Sequence, residues 1–289
     1  MGLHLTDDFT DLALHVLAHV RLREAGNLFD RRYVDWASDR TAPLEEEWLH
    51  EGAEALEKIW AKGAPSMVHA WPEVFESLEV LSSVASVELS AVPLERARAP
   101  RVLEAVRSAP GVELLHATIC ALGPWFGQWR REELEPRGHE AVALVRPWLE
   151  EAQTLIPTLA DARIELAWAL GARGRAFRGR IVVGVPAAWN GLDGRTPAVL
   201  AMHEQLVRGS GKRGYVAAEW AALTGLAAVI CDASAPLRRA HAQWLASLGL
   251  RPLLEAVVKA GWLERDDAER LVSERDARSE ALAVLHAEG

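Results

Sequence analysis

The stretch Arg180–Leu206 constrains the fold of this chain more than any other. A β-branched run, Ile181-Val182-Val183-Gly184-Val185, passes through a Pro/Gly loop into an apolar helix that carries His203-Glu204. Branching at Cβ stiffens χ1 and suits a pleated surface, so the run reads as a strand. An imidazole beside a carboxylate, on a helix directly behind a strand, places a metal-type ligand next to a potential base.

Composition sets the outer limits. The chain has 289 residues, half of them hydrophobic, enough for one large core or two ordinary ones without disulfides or oligomerisation. Cys120 and Cys231 stand far apart in apolar surroundings, which reads as two buried thiols rather than a disulfide or a Cys-based zinc site. A reducing, cytoplasmic compartment is therefore expected. Met1–Asp11 shows no basic region leading into an apolar one, so no signal peptide is expected, and no stretch reaches the roughly 18 apolar residues that would span a membrane. The net charge of −9 argues against nucleic acid as a partner, because neutralising phosphates needs a basic surface. Arginine far outnumbers lysine and alanine abounds, a bias of high-GC bacterial genomes.

Periodicity predicts a mainly α, multi-helix globular fold with a small β element near residues 180–186. The first helix opens at Thr6, with Asp7 and Asp8 in its first turn, and runs to Gly26. Others are expected at about 43–62, 72–90, 94–108, 111–122, 138–154, 158–171, 196–208, 215–231, 235–248, 252–260 and 264–286, punctuated by Pro and Gly. Residues 171–179 read as a basic, glycine-bearing turn. The composition shift near Pro157–Arg180 suggests an N-terminal helical region (1–157) and a strand-plus-helix region (158–289), with one continuous domain an equal alternative. Trp36, Trp48, Trp60 and Trp71 recur every twelve residues or so, a step that turns a helix by about 120° beyond whole turns, so they read as packing residues rather than a stripe.

His15 and His19 form a second candidate. At 1.5 Å per residue they stand about 6 Å apart on one helix face, the spacing at which two imidazoles can share an ion, and Leu12 and Val16 turn that face inward. Asp8 is placed to orient one ring.

Strand, loop and helix with Met202-His203-Glu204 together resemble the active-site region of zincin-type metallopeptidases, over roughly Ile181 to Leu223. In that family an edge strand holds substrate and an HExxH helix supplies two ligands and a general base. The resemblance implies that His203 is a ligand, Glu204 the base that activates water, and Glu219, in Tyr215-Val216-Ala217-Ala218-Glu219-Trp220, a further ligand. The family's second motif histidine is replaced by Val207, so His15 or His19 is expected to complete the site.

A different metal pattern is also present. Glu47-Trp48-Leu49-His50 and Glu113-Leu114-Leu115-His116 are both ExxH units, the i, i+3 pair that di-iron carboxylate bundles use twice, with Glu24 and one of Glu76, Glu79 or Glu88 to complete the set. Gly209–Arg213 follows a helix rather than a strand, which argues for a mobile loop in place of a phosphate cradle, with Lys212 and Arg213 available to close over an acidic ligand. No GxSxG and no GxGxxG after a strand occur. The expectation is a metal-dependent hydrolase of a peptide or small molecule, with zinc on His15, His19, His203 and Glu219, and Glu204 as base. The alternatives are a non-catalytic, metallopeptidase-like binding or partner subunit and a di-iron oxidase or oxygenase, with iron in place of zinc. Neither nucleic acid nor a membrane is an expected partner.

Overall fold

The computed structural model describes residues 2–19, 29–38, 126–177, 179–185, 193–210 and 215–247. Their elements in chain order are β1 (Gly2–Leu5), α1 (Asp8–His19), α2 (Arg31–Ser38), α3 (Glu135–Leu155), β2 (Arg163–Ala167), β3 (Gly174–Phe177), β4 (Arg180–Gly184), α4 (Arg195–Gly209), α5 (Tyr215–Val229) and α6 (Ala235–Ser247). A wide π-type turn, Arg130–Leu134, leads into α3, and a 3-10 turn, Pro157–Asp161, leads out of it.

The strands form one sheet in the order β1-β2-β4-β3, in which β1, β2 and β4 are parallel and β3 closes one edge antiparallel to β4. Leu3, Ile164 and Ile181 lie level across the three parallel strands, as do Leu5, Leu166 and Val183. α4 packs on β3 and β4 and is flanked by α3, α5 and α6. Leu149, Leu159, Leu166, Val183, Leu200 and Leu226 are among the residues that fill the core between these layers.

Helices hold most of the described residues and β4 falls where a strand is expected, but the β element is larger than the sequence suggests. β2 lies inside the segment expected to continue as a helix over 158–171. Its sequence, Arg-Ile-Glu-Leu-Ala, consists largely of good helix formers, and the strand is buried on both faces, so no polar alternation marks it. Glu165 breaks the apolar run and yet is fully buried, because Arg180 reaches one carboxylate oxygen at 2.7 Å and Arg163 the other at 2.7 Å. β3 lies in the basic turn expected over 171–179, and α2 has no counterpart among the expected helices.

α1 begins at Asp8, one residue later than a cap at Thr6 would start it. Asp7 caps it, its carboxylate accepting the Thr10 N–H at 2.7 Å. Thr6 instead ties the end of β1 to β2, its N–H and hydroxyl both donating to the Leu166 carbonyl. The Thr6 hydroxyl also bonds Asp11, which Arg130 of the π-type turn pairs at 2.7 Å while another guanidinium nitrogen donates to the Thr6 carbonyl at 2.6 Å. Burial pushes the Asp11 carboxyl up to about 7, outweighing the Arg130 charge and the hydrogen bonds from Thr6 and Arg130 that favour the anion.

The linkage has a definite sign. A carboxyl whose pKa is higher folded than unfolded binds its proton more tightly in the native state, so its contribution is fully present below about pH 4 and is lost as pH rises through about 7. Asp11→Asn, which cannot ionise, should flatten the pH dependence of urea-unfolding stability between pH 4 and 7. A slope identical to that of the parent protein would show that Asp11 is not the group responsible.

Candidate metal centre

α4 starts where Asp193 accepts the Arg195 N–H at 3.0 Å and the Arg195 Nε–H at 2.7 Å, satisfying a donor that the first helical turn leaves open. Every residue from Pro197 to Glu204 is buried, because the helix is enclosed by strands on one side and helices on the others. A surface helix would expose one of two successive residues, about 100° apart; here both His203 and Glu204 lie inside.

His203 sits between two carboxylates. Its Nδ1 is 3.4 Å from Glu204 Oε1 and its Nε2 is 2.9 Å from Glu219 Oε2, on α5. Candidate ligand atoms of the three residues all lie within 4.8 Å of one another, and among the described residues no other group of three such side chains converges in this way. The Nε2 contact is short, and the nitrogen is buried. Glu204 turns its second oxygen to the sheet edge, where it accepts the Ala176 N–H at 3.1 Å. Arg175 on β3 stands 3.7 Å from Glu219 Oε1. The Trp244 ring, tilted 59° and centred 4.9 Å away, covers the imidazole, and its Nε1–H is anchored on the Ala172 carbonyl at 3.2 Å. His241, one turn before Trp244 on α6, is buried against it.

Burial alone would lower the His203 pKa, but contact with Glu204 and Glu219 and the charge of both carboxylates more than reverse this and raise it to about 9. Without a metal, the imidazole is a cation at neutral pH.

The structure thus brings His203, Glu204 and Glu219 together, while His15 and His19 lie outside their cluster. The two rings are neighbours, with centroids 4.4 Å apart, and both are buried. Their surroundings are aromatic: Phe126 and Trp129 flank His15 at 5.1 and 5.6 Å. The His15 Nδ1 is 2.7 Å from the Tyr33 hydroxyl, and the His19 Nδ1–H donates to the His15 carbonyl at 2.7 Å. The Tyr33 hydroxyl thus orients the His15 ring. Burial, then the nearby charge of His19, hold His15 well below its usual pKa, so it is neutral.

Cys231 is exposed on a 3-10 turn, its thiol directed at the Ala227 carbonyl, in place of the buried thiol its apolar surroundings suggest. Cys120, both ExxH units, Glu24, Glu76, Glu79, Glu88, Lys212 and Arg213 lie outside the described residues. Sequence reasoning did not reach Arg175, Trp244 or the Ala176 amide. His241 and Trp244 carry a faint signal, an i, i+3 pair on one helix; Arg175 has none, because its strand is hidden in a glycine-bearing turn. Compared with protein-family models, curated proteins and solved structures, the chain finds no match.

Proposed function

We propose that the chain is a metal-dependent hydrolase of a peptide or other small amide- or ester-bearing substrate, with His203 and Glu219 as ligands and Glu204 as general base. The observation that carries this reading is the convergence of His203, Glu204 and Glu219, in which a buried imidazole nitrogen and a carboxylate oxygen stand 2.9 Å apart. Two donors that each reach an ion at about 2.0–2.1 Å stand about 3.3 Å apart at the tetrahedral angle zinc prefers, so a small spreading of the 2.9 Å pair would admit the ion. An imidazole with carboxylates suits zinc, the proposed ion, and iron is the alternative. When bound, such an ion polarises a carbonyl and acidifies a water.

The chain's own residues supply the rest. Glu204 faces the Nδ1 side of His203, so it is close to the reacting region without occupying the nitrogen that faces Glu219. From there it can take a proton from water and return it to a leaving group. Trp244 and the enclosing helices keep bulk water off the imidazole. Arg175 steadies Glu219 and presents a positive charge beside the site.

Metal analysis of the protein purified without chelator tests this reading. About one zinc per chain, lost in His203→Ala and in Glu219→Ala, is the expected result. About two irons per chain, independent of His203, would move the assignment to the di-iron units. A protein that holds no metal and takes up none would support the second reading, a binding or partner subunit, which the raised His203 pKa favours: an imidazolium between two carboxylates is a complete ion arrangement by itself.

A further inference from the structure

The aromatic cluster around His15 holds a group that hydrolysis does not use. Tyr33 and Tyr215 are the two tyrosines of the chain, and Tyr33 is 1% exposed, its hydroxyl 2.7 Å from the His15 Nδ1. Burial, then the nearby charge of Asp11, hold the phenol well above its usual pKa, so it does not ionise by itself. Burial foremost keeps His15 neutral, and of two neutral groups the phenol is the stronger acid, so its O–H donates to Nδ1. Tyr33 also meets a tryptophan. Its ring centroid lies 6.4 Å from that of Trp36, which in turn lies 5.6 Å from Trp129 beside His15. Trp36 is only partly buried, so this row of oxidisable rings runs from the interior to the surface, where the Arg137 guanidinium stands 5.3 Å from the Trp36 ring centre.

We propose that Tyr33 and His15 form a proton-coupled redox pair, with Trp36 as the ring through which a one-electron oxidant at the surface reaches them. The oxidant takes one electron from Trp36 and leaves an indole radical cation. The Arg137 charge disfavours a second positive charge on that ring, so the vacancy moves inward. Tyr33 returns one electron to Trp36, its O–H bond breaks, and the proton passes along the 2.7 Å hydrogen bond to form an N–H bond at His15 Nδ1. The products are a neutral tyrosyl radical, an imidazolium and a restored Trp36, with one electron gone to the oxidant and no proton lost from the pair. An oxidised phenol is an acid strong enough to protonate even a buried imidazole. A one-electron reductant such as a thiolate reverses the sequence, supplying the electron while the proton returns from Nδ1 to the oxygen. The pair thus holds an oxidising equivalent in an interior walled by Phe126 and Trp129. This inference is independent of the proposed hydrolase, because His15 lies outside the His203 cluster.

Flash oxidation of the purified full chain tests it, with tris(bipyridine)ruthenium(III), generated by light and a cobalt(III) quencher, as the oxidant. Electron paramagnetic resonance of samples frozen after the flash should show a neutral tyrosyl radical. The signal should be lost in Tyr33→Phe and kept in Tyr215→Phe, an assignment made simple by a chain with two tyrosines. His15→Gln should slow formation of the radical by about tenfold, the upper end of what one hydrogen bond contributes when expressed as a rate. Trp36→Phe, which removes the oxidisable ring nearest the surface, should slow it as well. Formation in the parent protein should also be slower in heavy water, a measurement of proton coupling that holds if the His15 variant does not fold. A signal that survives Tyr33→Phe, or one that vanishes in Tyr215→Phe, would overturn the pair. Parent rates in His15→Gln, or equal rates in water and heavy water, would overturn the proton transfer, and a parent rate in Trp36→Phe would overturn the route through that ring.

Discussion

Glu204→Gln should lower hydrolytic turnover by about 10²- to 10⁴-fold, the range for removing a general base, while metal content and fold are retained. The amide keeps an oxygen for the Ala176 N–H, so the local hydrogen bond persists, and it keeps the side-chain volume at a position that is 3% exposed. What it loses is the ability to take a proton. The loss should fall on kcat, because the carboxylate is needed in the transition state rather than in binding. Metal analysis and a thermal melt alongside the kinetics give the check: a variant that also loses its metal would make Glu204 a ligand, and one that keeps full turnover would remove it from the reaction.

The second large effect concerns the backbone. Gly184→Ala should destabilise the protein by about 3 kcal/mol or more, at or beyond the upper end for overpacked sites, and lower the melting temperature by roughly 5–10 °C. An ideal Cβ at Gly184 would stand 2.0 Å from the Gly171 carbonyl oxygen and 2.6 Å from that of Leu170. Both are main-chain atoms on the segment that crosses from β2 to β3, so no side-chain rotation can relieve the clash. Either β4 or the crossover must shift, although hydrogen bonds fix both, Gly184 N–H to the Arg173 carbonyl at 2.8 Å and Val185 N–H to the Ala167 carbonyl at 3.2 Å. Gly209→Ala is the control: nothing lies within 4 Å of a Cβ there, and the residue ends a helix, so stability should hold or rise. Equal melting temperatures for the two variants would contradict the close packing at Gly184.

Parts of this arrangement are legible in the sequence. The β-branched run at Ile181–Val185 marks β4, and the apolar stretch on both sides of His203-Glu204 marks a helix enclosed on all sides, which is why both residues are buried. The distance from His203 to Glu219 along the chain, one helix plus a loop and the start of the next, is enough to place them on neighbouring helices. What remains hidden depends on partners far away in the chain. Glu165 makes β2 look helical until Arg180 and Arg163 are known to neutralise it. The inward face shared by His15 and His19 follows from their spacing, but spacing cannot say which residues fill the space in front of them. Tyr33, Phe126 and Trp129 do, in a cluster apart from His203.

The pairing of β1 with β2 bears on how the molecule assembles. Thr6, at the end of β1, bonds Leu166 across a separation of 160 residues, whereas β2, β3, β4 and α4 follow one another closely. Closing so long a loop costs entropy before any contact repays it, and non-local pairing of this kind slows folding. β1 is therefore expected to find its neighbour after β2, β3 and β4 have paired with one another. Until then β1 is an unpaired strand on a growing chain, and its length of four residues limits the surface it offers to other chains in that interval.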